Sequence, residues 1–116
     1  MSEACLITVG LPVYNSERYL KQSLDSLLAQ TYPHFVLVIS DNASTDGTAQ
    51  ICQQYAAADS RIQYFRNETN IGNPRNFNRV AGLAKTRYLK WSTADDYWGP
   101  SFLESALEIM TMTLCT

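Results

Sequence analysis

The segment "FVLVISDNASTDGTAQICQQYAAA", Phe35 to Ala58, decides the fold. Phe35–Ser40 is apolar almost without a break, the pattern of a short strand buried on both faces. The run stops at Asp41 and gives way to Asn, Ser, Thr, Asp and Gly, which favour local side-chain turns. From Thr48 the apolar residues return at another period. Thr48, Ile51, Cys52, Tyr55 and Ala56 repeat the spacing of one helix face. A buried strand, a short polar loop and an amphipathic helix form the unit of a parallel sheet covered by helices.

The alternation extends in both directions. "CLITVG" (Cys5–Gly10) is a second continuous apolar run, and "IQYF" (Ile62–Phe65) and "RYLKWS" (Arg87–Ser92) are shorter or more mixed. The spacing predicts a first helix with Ser16 as cap, Glu17 in its first turn and Leu20, Leu24, Leu27 and Leu28 inward, closed by Pro33. Asp46 or Thr45 is the expected cap of the second helix. A third is expected to open with Asn73 as cap and Pro74 at the first helical position, burying Phe77, Val80, Ala81 and Ala84. Pro100 opens a fourth, with Leu103, Ala106, Leu107 and Met110 inward.

Right-handed crossovers put all strand C-termini on one edge. The segments that follow the strands are "LPVYNS", "DNASTD", "RNETNIGN" and "TADDYWG", whereas the opposite connections, "QTYPH", "AADS" and "KT", are plainer. In open α/β sheets ligands bind outside the strand C-termini. The polarity asymmetry therefore marks a site before any motif is named.

Composition narrows the class of ligand. The chain has 116 residues, 46% hydrophobic and 17% charged, enough for one small folded domain. A net charge of −2 with scattered Lys and Arg offers no basic stripe for nucleic acid. No apolar run approaches the roughly 20 residues that span a bilayer. "MSEACLITVG" lacks the basic start of a signal peptide. Cys5, Cys52 and Cys115 are an odd set without paired spacing, which favours a reduced, cytoplasmic chain with buried, inert thiols. His34, beside Pro33 on the plain edge, receives no role.

The loop residues suggest chemistry. Asp95 and Asp96 end the fourth strand, and adjacent side chains on an extended segment point apart. One carboxylate can meet a ligand hydroxyl while the other meets Mg²⁺ or Mn²⁺, ions that use one or two carboxylates beside substrate phosphates. Alone, the pair reads more readily as a solvated turn, with Tyr97 and Trp98 as ordinary packing. Asp41 can accept from a base or ribose, Tyr14 offers a flat face, Asn15 an amide, and Arg75 a donor for a carbonyl or phosphate oxygen. Each also reads as a turn, cap or surface residue. "DGT" at 46–48 invites comparison with phosphatases that carry D-x-D-G-T, but Ser44 stands where their nucleophilic aspartate belongs. Ala43 and Thr45 defeat an EF-hand reading.

In order and wording, "GLPVYNSERYLKQSLDSLLAQTYPHFVLVISDNASTDGT" and "NIGNPRNFNRVAGLAKTRYLKWSTADDYW" resemble the N-terminal half of glycosyltransferase family 2, inverting nucleotide-sugar enzymes of the GT-A fold. The resemblance covers roughly residues 6–110. It implies a half GT-A domain over residues 1–116, a parallel sheet in the order 3-2-1-4. It implies Pro12, Tyr14, Asn15, Asp41, Arg75 and Asp95 around a nucleotide, most often uridine, and Asp96 with Asp95 as ligands of Mn²⁺ or Mg²⁺. The donor would be a UDP-sugar and the acceptor a saccharide or lipid-linked hydroxyl. Thr93 departs from members that carry a further aspartate two positions before the pair. The family's catalytic base lies beyond this region, so it is expected after Thr116, and the chain by itself is expected to be inactive. The fourth strand would present an open edge suited to a two-fold dimer. For a longer protein, the cytoplasmic face of a membrane is the alternative location. A non-catalytic nucleotide-binding or structural module, and more remotely a phosphatase-like hydrolase, are the rival readings.

Overall fold

The computed structural model describes residues 7–95 together with Gly99 and Leu103. Its elements run β1 (Ile7–Val13), α1 (Glu17–Leu28), β2 (Phe35–Asp41), α2 (Thr48–Ala58), β3 (Ile62–Arg66), α3 (Asn73–Leu83) and β4 (Tyr88–Trp91). The strands form one four-stranded sheet in the order β3-β2-β1-β4, with every pairing parallel. Fold class and strand order are those expected from the sequence. Cys5, Cys115, Asp96, Tyr97, Trp98 and the expected fourth helix lie outside the described residues, except that Leu103 is helical and buried.

The continuous apolar runs of β1 and β2 reflect two different surfaces. Alternate residues of a strand face opposite sides. Ile7, Val9, Leu11 and Val13 join Phe35, Leu37 and Ile39 in one buried cluster with Leu20, Leu24, Leu27 and Cys52 of α1 and α2. The other face is smaller and more polar: Gly10 lies against Val80 of α3, and Ser40 against Asn76. Cys52 is fully enclosed, and burial, then the negative charge of Asp41, pushes its thiol up to about 12. That is the inert thiol expected of a buried cysteine.

Three local expectations are corrected. Ser16 occupies the cap position of α1, but its hydroxyl donates to the Tyr14 carbonyl at 3.1 Å instead of capping. The Glu17 amide donates to Asp46 across the loops at 3.4 Å. α3 begins at Asn73 with Gly72 as its cap residue, because Gly72 alone supplies the φ of +88° that the turn needs. Its buried residues are Asn76 and Val80; Phe77 is 37% exposed and stacks on the exposed Trp91, ring centroids 5.0 Å apart. One turn of α3 therefore serves a polar contact beneath it, which apolar periodicity does not register.

Where α3 crosses β1, no side chain fits. A Cβ on Gly10 would stand 2.6 Å from Cγ1 of Val80 and 3.2 Å from Leu89. Val80 is β-branched and stiff in a helix, so it has little room to yield. Gly10→Ala is expected to lower stability by about 1–3 kcal/mol, read as an earlier urea midpoint. An unchanged midpoint would show that α3 rides loosely on the sheet.

Candidate functional site

The C-terminal ends of the parallel strands and the loops that follow them form one polar edge. A cavity of about 520 Å³ opens there. That volume lies within the range of small-molecule sites. Pro12, Tyr14, Asn15 and Asp95 line it, so four of the sequence-derived candidates meet in one place. Arg18, Tyr19, Asn76 and Phe77 line it as well. Asp41 and Arg75 do not line it, and Asp96 lies outside the described residues.

Asn15 sits at φ +46°, in the left-handed region that asparagine tolerates. Its side-chain oxygen accepts from the Thr45 amide at 2.7 Å, and its own amide donates to the Ser44 hydroxyl at 2.9 Å. The amide foreseen as a ligand contact thus ties the loop after β1 to the loop after β2. The Ser16 amide donates to Thr48 at 2.7 Å, and the Gly47 amide to Glu17 at 3.2 Å, closing the same seam. Tyr14 stays 44% exposed, its ring available as a wall of the cavity.

Asp41 is wholly buried. Its Oδ1 accepts from the Ser44 amide at 2.9 Å, and its Oδ2 from the Tyr64 hydroxyl at 2.6 Å and from Arg66 at 3.2 Å. Arg66 also donates to the Ser44 carbonyl at 2.9 Å. Burial and then the bond to Asp41 push the Tyr64 phenol well above its usual range. Ala43 holds a φ of +63° inside this turn, a conformation that is strained for a residue with a Cβ. Ser44 is a turn residue, its amide donating to Asp41 and its hydroxyl accepting from the Asn15 amide.

A chain of asparagines continues the edge. Asn42 accepts from Asn67 at 3.0 Å and from the Ile71 amide at 2.9 Å, and donates to Asn70 at 2.9 Å. Asn76 accepts from the Ser40 hydroxyl at 2.7 Å and from Asn67 at 3.1 Å, and donates to the Ser40 carbonyl at 3.0 Å. This network fixes the loop between β3 and α3, and with it the exposed Arg75, the neighbour of Asn76. The sequence reading missed Asn42, Asn67 and Asn76 as a group, as well as Tyr64 and Arg66. The usable signal was the excess of Asn in the loops after β2 and β3.

At the end of β4, Thr93 donates to Oδ1 of Asp95 at 2.7 Å. The threonine that departs from the family's aspartate thus orients the carboxylate that remains. No group of three or more His, Cys, Asp or Glu side chains that could hold a metal occurs among the described residues. Asp95 is an exposed hard-oxygen donor on the cavity wall, which suits an ion completing its shell with phosphate and water. No helix among the described residues is long and apolar enough to cross a membrane.

These features make a polar candidate site on the edge of a parallel sheet. The model of glycosyl transferase family 2 matches residues 8–113, and the chain belongs to that family. It is 37% identical over 110 residues to TuaG of Bacillus subtilis, a glycosyltransferase named for teichuronic acid biosynthesis, covering 95% of this chain and 44% of that protein. The structure of S. aureus TarS in complex with UDP-GlcNAc aligns with a TM-score of 0.85 and 31% identity over 92% of this chain and 31% of that one. The mannosyltransferase PcManGT of Pyrobaculum calidifontis, in complex with GDP-Man and Mn²⁺, aligns with a TM-score of 0.75 and 25% identity over 84% of this chain and 29% of that one. The sheet is that of the N-terminal segment of a GT-A fold. The chain spans less than half the length of TuaG.

The asparagine network makes a sharp prediction. Asn76→Ala removes two acceptor contacts and a donor beneath α3, and the partners left behind are buried. It should cost about 1–3 kcal/mol. Asn78→Ala, on the exposed side of the same helix, should stay within about 0.5 kcal/mol. Equal urea midpoints for the two variants would refute the structural role of the network.

Proposed function

We propose that this chain is the donor-binding part of an inverting glycosyltransferase that uses a nucleotide-diphosphate sugar, with UDP-sugar as the favoured donor. The observation that carries the reading is the meeting of Pro12, Tyr14, Asn15 and Asp95 on one cavity at the strand C-termini. Membership of glycosyl transferase family 2 and the likeness to TarS, solved with UDP-GlcNAc, support the donor class. The exposed ring of Tyr14 offers a face on which a base can stack, a contact worth about 1–3 kcal/mol by analogy with other base-binding aromatics. Asp41, buried at the end of β2, shapes the loop that follows it, and the exposed Arg75, outside the cavity lining, would serve as a cation for the diphosphate.

Asp95 and Asp96 would hold Mn²⁺ or Mg²⁺ when one binds. Such an ion neutralises charge on the departing diphosphate. The Thr93 hydroxyl bond holds Asp95 in place for either ribose or metal. The acceptor is a hydroxyl of a saccharide or lipid-linked glycan. Three cysteines in an odd set without C-x-x-C spacing support a cytoplasmic location.

Calorimetry with UDP tests the assignment. Mn²⁺ is expected to tighten UDP binding on the order of tenfold, about 1.4 kcal/mol, relative to chelator. Asp95→Ala and Asp96→Ala should each reduce that difference. Equal affinity with metal and with chelator in the unaltered chain would remove the metal from the account. Absence of saturable UDP binding under both conditions would remove the donor assignment itself.

A further inference from the structure

We propose that Arg18, the cation that α1 places on the cavity wall, binds the donor's diphosphate and is a further donor-binding residue beside those found from the sequence. The inference rests on the donor reading above and deepens it.

Three observations single out Arg18. Among the described residues that line the cavity, it is the only cation and Asp95 the only carboxylate. Arg75 stands outside that lining. Second, Arg18 is exposed, and among the described residues no ion pair or hydrogen bond engages its guanidinium. Its guanidinium carbon lies 5.1 Å from the centroid of the Tyr19 ring, which also lines the cavity. A ring face holds a cation without consuming its N–H groups, so the donors of the fork stay available. Third, helix stability gives no reason for the charge. A cation in the first turn works against the helix dipole, and Glu17, one residue earlier, is the side chain that suits that position.

Charge balance supplies the need. A nucleotide-diphosphate sugar carries about two negative charges, and about one more develops as the diphosphate departs. A divalent ion held by a pair of carboxylates is formally neutralised by them. Most of the diphosphate's charge is then left to the chain's own cations. Guanidinium suits that task, because its planar fork can donate two parallel N–H bonds to phosphate oxygens. On a cavity wall, partly withdrawn from water, such a contact is worth more than on an open surface. The contribution belongs to the phosphates alone. Uridine stacked on Tyr14 gives Arg18 no negative charge to meet, so the effect of Arg18 separates the two halves of the nucleotide.

The test compares UDP with uridine, which differ only by the diphosphate. Both are titrated in Mn²⁺ and in chelator against the unaltered chain, Arg18→Ala, Arg18→Lys and Lys21→Ala, with binding read from amide chemical shifts and thermal melts verifying each variant. Lys21 is exposed one turn further along α1 and does not line the cavity, so its loss removes the same charge from the same helix. The unaltered chain should bind UDP more tightly than uridine. Arg18→Ala should weaken UDP on the order of tenfold and leave uridine unchanged. Arg18→Lys, which keeps the charge without the fork, should lose less, and Lys21→Ala should keep the original UDP:uridine ratio. If Arg18→Ala keeps that ratio, or weakens both ligands by one common factor, Arg18 is a surface or wall residue and the inference is overturned. It is overturned too if Lys21→Ala costs as much as Arg18→Ala, or if the unaltered chain binds uridine as tightly as UDP. In each of these cases the donor's nucleoside still binds and the donor reading survives. If the unaltered chain binds neither ligand, the donor reading fails and carries this inference with it.

Discussion

The structure depends on one buried charge. A carboxylate withdrawn from water must be compensated by hydrogen bonds or a counter-charge, or it destabilises the fold by several kcal/mol. Asp41 meets that demand with donors from separate parts of the chain: the turn after β2 and the end of β3. Satisfying it fixes the strained turn at Ala43, sets the end of β3 beside β2 and brings Arg66 over the loop. The next residue, Asn42, extends the same constraint to the β3–α3 loop through Asn67, Asn70 and the Ile71 amide. The polar edge is therefore rigid where loops are ordinarily compliant, and a rigid edge suits a ligand site because little ordering remains to be done on binding.

Topology supplies the rest. Parallel strands joined by right-handed crossovers deliver every strand C-terminus to the same side. The large apolar residues go to the face shared with α1 and α2, while Gly10 and Ser40 keep the other face shallow enough for α3 to lie close. That closeness places Asn76 against β2 and Phe77 on the cavity wall. Core packing and site geometry are thus two consequences of one helix position.

The alternation of buried strands and helices was legible from the period of the apolar residues, the strand order came with the resemblance to glycosyltransferase family 2, and the unequal polarity of the loops pointed to the edge where the cavity opens. Phe35–Ser40 and Cys5–Gly10 announced buried strands, and "VYN", "DNAS" and "TADD" announced the edge. What escaped was partnership between side chains. Asn15 lines the cavity as a candidate ligand group and also bonds the Thr45 amide, and Ser16 looked like a cap but bonds Tyr14. Phe77 fitted an apolar stripe that the polar contact of Asn76 displaces. Arg66 looked like an ordinary charged residue at a strand end. Its meaning came only from the register that sets it opposite Asp41. Spacing along the chain reports which face a residue occupies, not which distant residue waits there.

The central claim is that a uridine diphosphate donor binds on the edge organised by Asp41. Amide chemical shifts of the labelled chain, followed during titration with UDP and Mg²⁺, test it most directly. The account predicts saturable changes at Val13–Asn15, Asp41–Ser44, Arg66–Arg75 and Thr93–Asp95, with the opposite edge at Tyr32–Phe35, Asp59–Arg61 and Lys85–Thr86 unmoved. Changes centred on that opposite edge, or none that saturate at millimolar UDP, would contradict it.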